Sequence, residues 1–312
     1  MTNYQRYEGF GYAKTLIFGE YAVMYSAFGL IMAMPQKLRL QLEITPTPYP
    51  SDSPFARILQ QQLTGYFHLT GNIALDDAEF FDAHHIKYGI GSSAAGVVAL
   101  CKAAAQASMG SRAFSLSDAI TIHRSLQNGM GSGIDIHASA LGGVLSVQGC
   151  PNAPEYRNIP LENLPALCVL AGHQQSTTTD YLIAAKKAES TRDYQKTIES
   201  LADHFCTLTQ YAESGDKNNF LELIAKIPAL LKTLERILDR QILPNDFEDW
   251  AALAREHRVT LKTSGAGGGD ILIAMAENAA QLHEYLRHLP SPLSPLNSDV
   301  PAFVAPPLPS HT

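Results

Sequence analysis

Tyr88-Gly89-Ile90-Gly91-Ser92-Ser93-Ala94-Ala95-Gly96 is the stretch on which the reading of this chain turns. Two glycines and two hydroxyls lead into small residues, and an alanine-rich run continues to Met109. That composition predicts a helix over 92–109. Glycine lets a backbone approach an anion closely and take positive φ. The first turn of a helix leaves its N–H groups unpaired and carries partial positive charge, which suits phosphate oxygens. Gly89, Gly91, Ser92, Ser93 and Ala94 are therefore candidates for a phosphate cradle. Ser92 and Ser93 could cap the turn or ligate Mg2+. Alone, the stretch reads more readily as a tight turn with a double serine cap than as a binding site. It is neither a Walker A loop, lacking the G-K-[ST] ending, nor a dinucleotide fingerprint.

Two further glycine clusters shift that balance. Lys262-Thr263-Ser264-Gly265-Ala266-Gly267-Gly268-Gly269-Asp270 packs four glycines into five positions and runs straight into an apolar strand predicted over 271–275. So many glycines carry an entropic cost that is hard to justify unless the backbone lies against something bulky or charged. A flexible linker would not continue directly into such a strand. Asn128-Gly129-Met130-Gly131-Ser132-Gly133-Ile134-Asp135 presents a carboxylate from a glycine turn. Asp135 is placed to act on a substrate hydroxyl, to hold a cationic group, or simply to cap a helix.

Composition narrows the class. The 312 residues are 46% hydrophobic and 17% charged, with a formal net charge of −7 and no run of five like charges. A nucleic-acid partner is not expected, because no basic stripe is present. No apolar run approaches eighteen residues, so no membrane span is expected. The polar start (Thr2, Asn3, Gln5, Arg6) lacks the layout of a signal peptide, and a cytoplasmic protein, monomer or homodimer, is the expectation. Cys101, Cys150, Cys168 and Cys206 show no CxxC spacing and read as reduced, mostly buried thiols. His84-His85 on an extended segment would face opposite ways, with no partners at zinc spacing, and is not read as a metal site.

Strands are predicted over 12–18, 29–34, 38–44, 141–147 and 166–171, and helices over 55–66, 117–127, 250–256 and 279–289. Ser117 is the expected cap of the second helix, residues 73–81 are ambiguous, and 178–238 are mainly helical. Residues 290–309 are proline-rich and read as an extended or disordered tail. Both halves mix strands and helices. The fold class is α+β, in two domains at 1–160 and 161–290 with a tail at 291–312.

The three glycine motifs follow, in order, Ala13-Lys14-Thr15-Leu16-Ile17-Phe18-Gly19-Glu20-Tyr21-Ala22-Val23. Together they resemble the GHMP kinase superfamily over roughly residues 11–275. The resemblance implies an N-terminal α+β nucleotide domain and a C-terminal ferredoxin-like domain, with ATP, Mg2+ and a small-molecule substrate in the cleft between them. Several details resemble the phosphomevalonate kinase branch in particular. These are G-E-Y-A-V at 19–23, Lys87 ahead of the Gly89–Ser93 loop, and the ungapped segment from His123-Arg124 through Gln127 to Asp135. The G-A-G-G-G-D run at 265–270 is similar too. Mevalonate kinases carry a metal-binding glutamate at the place of Arg124. The branch's substrate segment is matched only loosely, by Gly172-His173-Gln174-Gln175-Ser176-Thr177-Thr178.

By this resemblance Lys14 and Asp135 are catalytic, and Lys87, Gly89, Gly91, Ser92, Ser93 and Ala94 bind nucleotide, with Ser93 on Mg2+. Glu20, Tyr21, Arg124, Ser132, Gly133, Ser176, Thr177, Ser264, Gly265, Gly267 and Gly268 are the expected substrate contacts. With an alcohol acceptor, as in mevalonate or a sugar, Asp135 would serve as base. A phosphomonoester is already dianionic at neutral pH and needs none. Asp135 would then orient Lys14 or the substrate, and an excess of cations is expected from Lys14, Lys87 and Arg124. A non-catalytic, nucleotide-binding member of the superfamily is the reading from another class.

Overall fold

The computed structural model of the chain describes residues 5–108, 112–129, 131–148, 155–172 and 178–296. Two long strands organise the first half. β1 (Arg6–Phe18) pairs antiparallel with β2 (Phe28–Ile44), from Arg6 opposite Glu43 to Phe18 opposite Leu30. The two strands expected over 29–34 and 38–44 are thus one. Tyr12 faces Lys37 and Ala13 faces Met34, so Pro35 and Gln36 form a bulge, the place where a residue without an N–H is tolerated. The far edge of β2 serves two partners. Its C-terminal half holds β3 (Gly71–Asp76), and its N-terminal half holds β4 (Val144–Gln148), which carries β5 (Glu155–Asn158). The ambiguity over 73–81 resolves into β3 followed by a 3-10 turn at Ala78–Phe80.

Helices α1 (Pro54–Phe67), α2 (Ser92–Ala107), α3 (Leu116–Leu126) and α4 (Ile134–Leu141) cover this sheet. The glycines of β1 explain why α2 is so rich in alanine. A Cβ at Gly9 would lie 2.0 Å from the Ala99 carbonyl oxygen, and one at Gly11 would lie 2.2 Å from that of Ala95. Backbone meets backbone, which only small residues at helical spacing permit; Ala95, Ala99 and Ala103 are fully buried along that line. The cap of α3 is Ser115, two residues earlier than Ser117. Its extended backbone lets its hydroxyl accept from Asp118 N, while Ser117 already lies inside the helix. The strand expected from 141 begins at Val144, because Gly142 and Gly143 at positive φ separate it from α4.

The second sheet is antiparallel in the order β7 (Thr260–Thr263), β8 (Ile271–Ala276), β6 (Ala166–Ala171), β9 (Ser294–Pro295). The helical stretch after 178 comprises α5 (Thr178–Ala188), α6 (Arg192–Ser214), α7 (Lys217–Ile224) and α8 (Ile227–Leu238); α9 (Phe247–Glu256) and α10 (Ala279–Arg287) complete the set. Phe205 of α6 stacks on Phe18 of β1 at 5.4 Å, so one apolar core runs through both sheets. The start of the proline-rich segment belongs to the fold. Ser294 and Pro295 pair with Ala171 and Leu170 at a sheet edge, and Leu293 is buried. Cys101 and Cys168 are buried free thiols; Cys206 is exposed on the outer face of α6, and Cys150 lies outside the described residues. Among the described residues no helix is long and apolar enough to cross a membrane.

Candidate active site

Lys14 lies in the middle of β1, and its backbone N donates to Ile90 O at 2.8 Å, fixing the glycine loop against the strand. The lysine side chain runs over Gly91. A Cβ there would come within 2.6 Å of Lys14 Cε, and φ at Gly91 is +83°. The positive φ favours glycine, and any Cβ there would displace the Lys14 side chain. Gly91 is the N-cap of α2 and makes no side-chain cap, so neither Ser92 nor Ser93 caps this helix as expected. The first intrahelical bond is Ala95 N to Gly91 O, which leaves the N–H groups of Ser92, Ser93 and Ala94 at the open end of the helix. Ser92 and Ala94 are buried and Ser93 is half-buried.

Asp135 sits in the first turn of α4, after Gly131 at φ +99° and Gly133 at φ +80°. Its Oδ2 is 3.2 Å from Lys14 Nζ, and both side chains remain partly open to solvent. Lys14, Asp135, Ser132, Gly133 and Gly89 line one cavity together with Glu20, Tyr21, Ser264, Gly265 and Gly267. The four segments singled out in the sequence therefore converge, although they are spread over about 250 residues of chain.

Several expected substrate contacts have other work. Arg124 donates from Nε to Gly131 O (3.1 Å) and from Nη2 to Ser132 O (3.0 Å), so its guanidinium holds the glycine turn and does not line the cavity. Glu20 and Lys262 form an ion pair at 2.5 Å with both side chains fully buried. Lys262 Nζ also donates to Thr263 O, and Gly19 N donates to Glu20 Oε2. Burial pushes the Glu20 carboxyl up, opposed by Lys262. Tyr21 donates its hydroxyl to Ala266 O at 2.5 Å. Ser264 Oγ donates to Leu16 O and accepts from Leu16 N. Gly268 N donates to Ile242 O, and a Cβ at Gly267 would meet Ile242 Cα at 2.8 Å. These side chains and glycines fasten the third motif to β1 and to the segment around Ile242. Gly265 has open space where a Cβ would go. Lys87 is exposed and outside the cavity, and Ser176 and Thr177 lie outside the described residues.

Gly89 joins the first motif to the third, since a Cβ there would lie 2.8 Å from Asp270 Cβ. The cavity also takes in His123 and Gln127, which sequence reasoning passed over for Arg124. The available signal was their i, i+4 spacing, which puts both on one face of α3 and Arg124 about 100° away. His123 is 3% exposed. Burial pushes its imidazole below the ordinary range; Asp135 opposes this, and Lys14 and Arg124 reinforce it. Among the described residues no group of three His, Cys, Asp or Glu side chains is placed to hold a metal ion. His84 and His85 are exposed on a turn where Asp82 accepts from the backbone N of His84 and Ile86.

No protein-family model matches the chain, and no curated protein matches it in sequence. Solved structures match in fold. Lin0012 from Listeria innocua superposes with a TM-score of 0.75 at 18% identity, over 93% of this chain and 99% of that one. Streptococcus pneumoniae phosphomevalonate kinase in complex with phosphomevalonate and AMPPNP gives 0.71 at 15% identity, over 92% and 99%. L. major mevalonate kinase in complex with R-mevalonate gives 0.65 at 17% identity, over 91% of both chains. The α+β fold expected from the sequence is thus the fold of GHMP kinases.

Proposed function

We propose that this chain is an ATP-dependent kinase that transfers the γ-phosphoryl group to phosphomevalonate, giving the diphosphate and ADP. The observation that carries the kinase reading is the Lys14–Asp135 pair, 3.2 Å apart, with the lysine side chain laid over Gly91 at the open end of α2. Phosphoryl transfer asks for positioning and charge neutralisation more than for covalent chemistry. The N–H groups of Ser92, Ser93 and Ala94 and the helix dipole face the nucleotide phosphates. Lys14 stabilises charge on the group in flight. An acceptor phosphate oxygen attacks the γ-phosphorus as the bond to the β-phosphate oxygen breaks, and no proton has to be removed. Asp135 then holds Lys14 in place.

Magnesium fits a site built in this way. It keeps several waters, binds mainly through the nucleotide phosphates and needs few protein ligands. The half-buried Ser93 hydroxyl in the first turn of α2 is the residue that would hold it. Bound there, the ion would neutralise charge on the phosphates.

Support for a phosphorylated acceptor comes from the sequence around Gly19–Val23, Lys87–Ser93 and Lys262–Asp270 and from the fold shared with a phosphomevalonate kinase. One observation favours mevalonate or another alcohol as acceptor. Arg124 and Lys87, two of the cations expected beside the acceptor, are directed elsewhere. With an alcohol, Asp135 would be the base. The same reading places the protein in the cytoplasm, as a monomer or homodimer. An ADP-release assay with phosphomevalonate, mevalonate and sugars tests both levels. Turnover of mevalonate without turnover of phosphomevalonate overturns the acceptor, and no ADP release with any of them overturns the kinase.

A further inference from the structure

One ionisable side chain in the cavity has no part in the reaction just described. His123, on α3, is almost wholly buried and lines the cavity with Lys14 and Asp135. Among the described residues its imidazole makes no hydrogen bond, while its neighbours Arg124 and Lys14 are both engaged. A buried polar ring facing a cavity without a protein partner is completed by whatever the cavity takes.

The charge balance says what that is. Lys14 is matched by Asp135, and Lys262 by Glu20, so these cations bring no surplus to the site. A phosphomonoester brings a charge of roughly −2. The charged groups facing His123 are Asp135 from α4, Lys14 from β1 and Arg124 from its own helix. Burial and the two cations keep the ring neutral in the free protein. An anion entering the cavity reverses that preference, because a nearby negative charge favours the protonated ring.

We propose that His123 reads the phosphate of the acceptor: it takes up a proton from solvent as a phosphomonoester binds and donates its N–H to a phosphate oxygen. A hydroxyl at the same place draws no proton, so the residue separates phosphorylated from unphosphorylated acceptors. A protonated ring also forms the stronger, charge-assisted bond. The inference rests on the phosphorylated-acceptor reading above.

Calorimetric titration at about pH 7.5, in two buffers of different ionisation heat, counts the protons. Wild type should take up close to one proton with phosphomevalonate and none with mevalonate. His123→Gln keeps a neutral polar side chain of similar size and should lose the uptake. Its KM for phosphomevalonate should rise about tenfold or more while its KM for ATP holds. Proton uptake that survives in H123Q, or an unchanged acceptor KM, overturns the proposal. NMR of the histidine rings in the wild-type protein needs no variant: one ring must pass from neutral to charged on adding phosphomevalonate, and its failure to do so overturns the proposal equally. Wild type that turns over mevalonate and does not bind phosphomevalonate sinks the acceptor reading itself, and this inference with it.

Discussion

Lys262→Met tests the buried pair that joins the third glycine motif to the loop after β1. Glu20 and Lys262 are 242 residues apart in sequence, and neither side chain reaches solvent. Methionine keeps most of the lysine's length and removes its charge, leaving the Glu20 carboxylate without water or cation. A charge so placed takes a proton. Protonating a carboxyl whose ordinary pKa is about 4.3 costs about 1.4 kcal/mol per pH unit above that value. The variant should therefore lose about 3.7 kcal/mol at pH 7 and about 1 kcal/mol at pH 5. The first figure falls in the range of about 3–5 kcal/mol for breaking a buried ion pair and is a large share of a typical total of about 5–15 kcal/mol. Urea denaturation followed by far-UV circular dichroism at both pH values measures it. Glu20→Gln with Lys262→Met should recover most of the loss, since no charge is left buried. A loss below about 1 kcal/mol at pH 7, or one that does not shrink at pH 5, refutes the assignment of a buried, charged pair.

Asp135→Asn removes the carboxylate 3.2 Å from Lys14. Its kcat for ADP release should fall by about 10²-fold or more with little change in the KM for ATP, and an unchanged kcat counts against the site. Gly91→Ala pushes a methyl group into the Lys14 side chain at a backbone angle that alanine avoids. Kinase activity should drop while the circular dichroism spectrum is retained. Gly11→Ala sets a Cβ against the Ala95 carbonyl and should lower stability by about 1–3 kcal/mol in urea melts. The depressed pKa of His123 makes a pH prediction. Below about 6.5 the unfolded chain binds a proton that the folded one refuses, so stability falls as pH drops through 6.5 towards the folded value. H123Q should flatten that fall in thermal melts.

The local signals were the legible part. The alanine run at 92–107, the strand into Phe18 and the glycine clusters all carry period or composition that reports element type, and their combination resembles one kinase superfamily. Caps and joints were less legible. Ser115 and Ser117 are interchangeable to a reader of residue types, and only the backbone angle at Ser115 decides between them. Pro35 looks like a break between two strands until the bulge opposite Tyr12 and Ala13 makes them one.

Function divides in the same way. Residue types by themselves determined that a glycine loop opens a helix and that the fold is α+β; the pairing of Lys14 with Asp135 was implied only by the family resemblance, and the structure sets the two 3.2 Å apart. They could not say where polar side chains end up once the two halves meet. Glu20, Tyr21, Arg124 and Ser264 all carry groups that suit a ligand, yet each bonds to protein, because a group buried at a junction must be satisfied there first. His123 is the reverse case. It stands in the segment that resembles the phosphomevalonate kinase branch but was given no role there, and the tertiary packing strips its ring of partners and turns it to the cavity that Lys14 and Asp135 share. Burial and the identity of the nearest atoms, neither of which is written in one dimension, decided which polar side chains were left for a substrate.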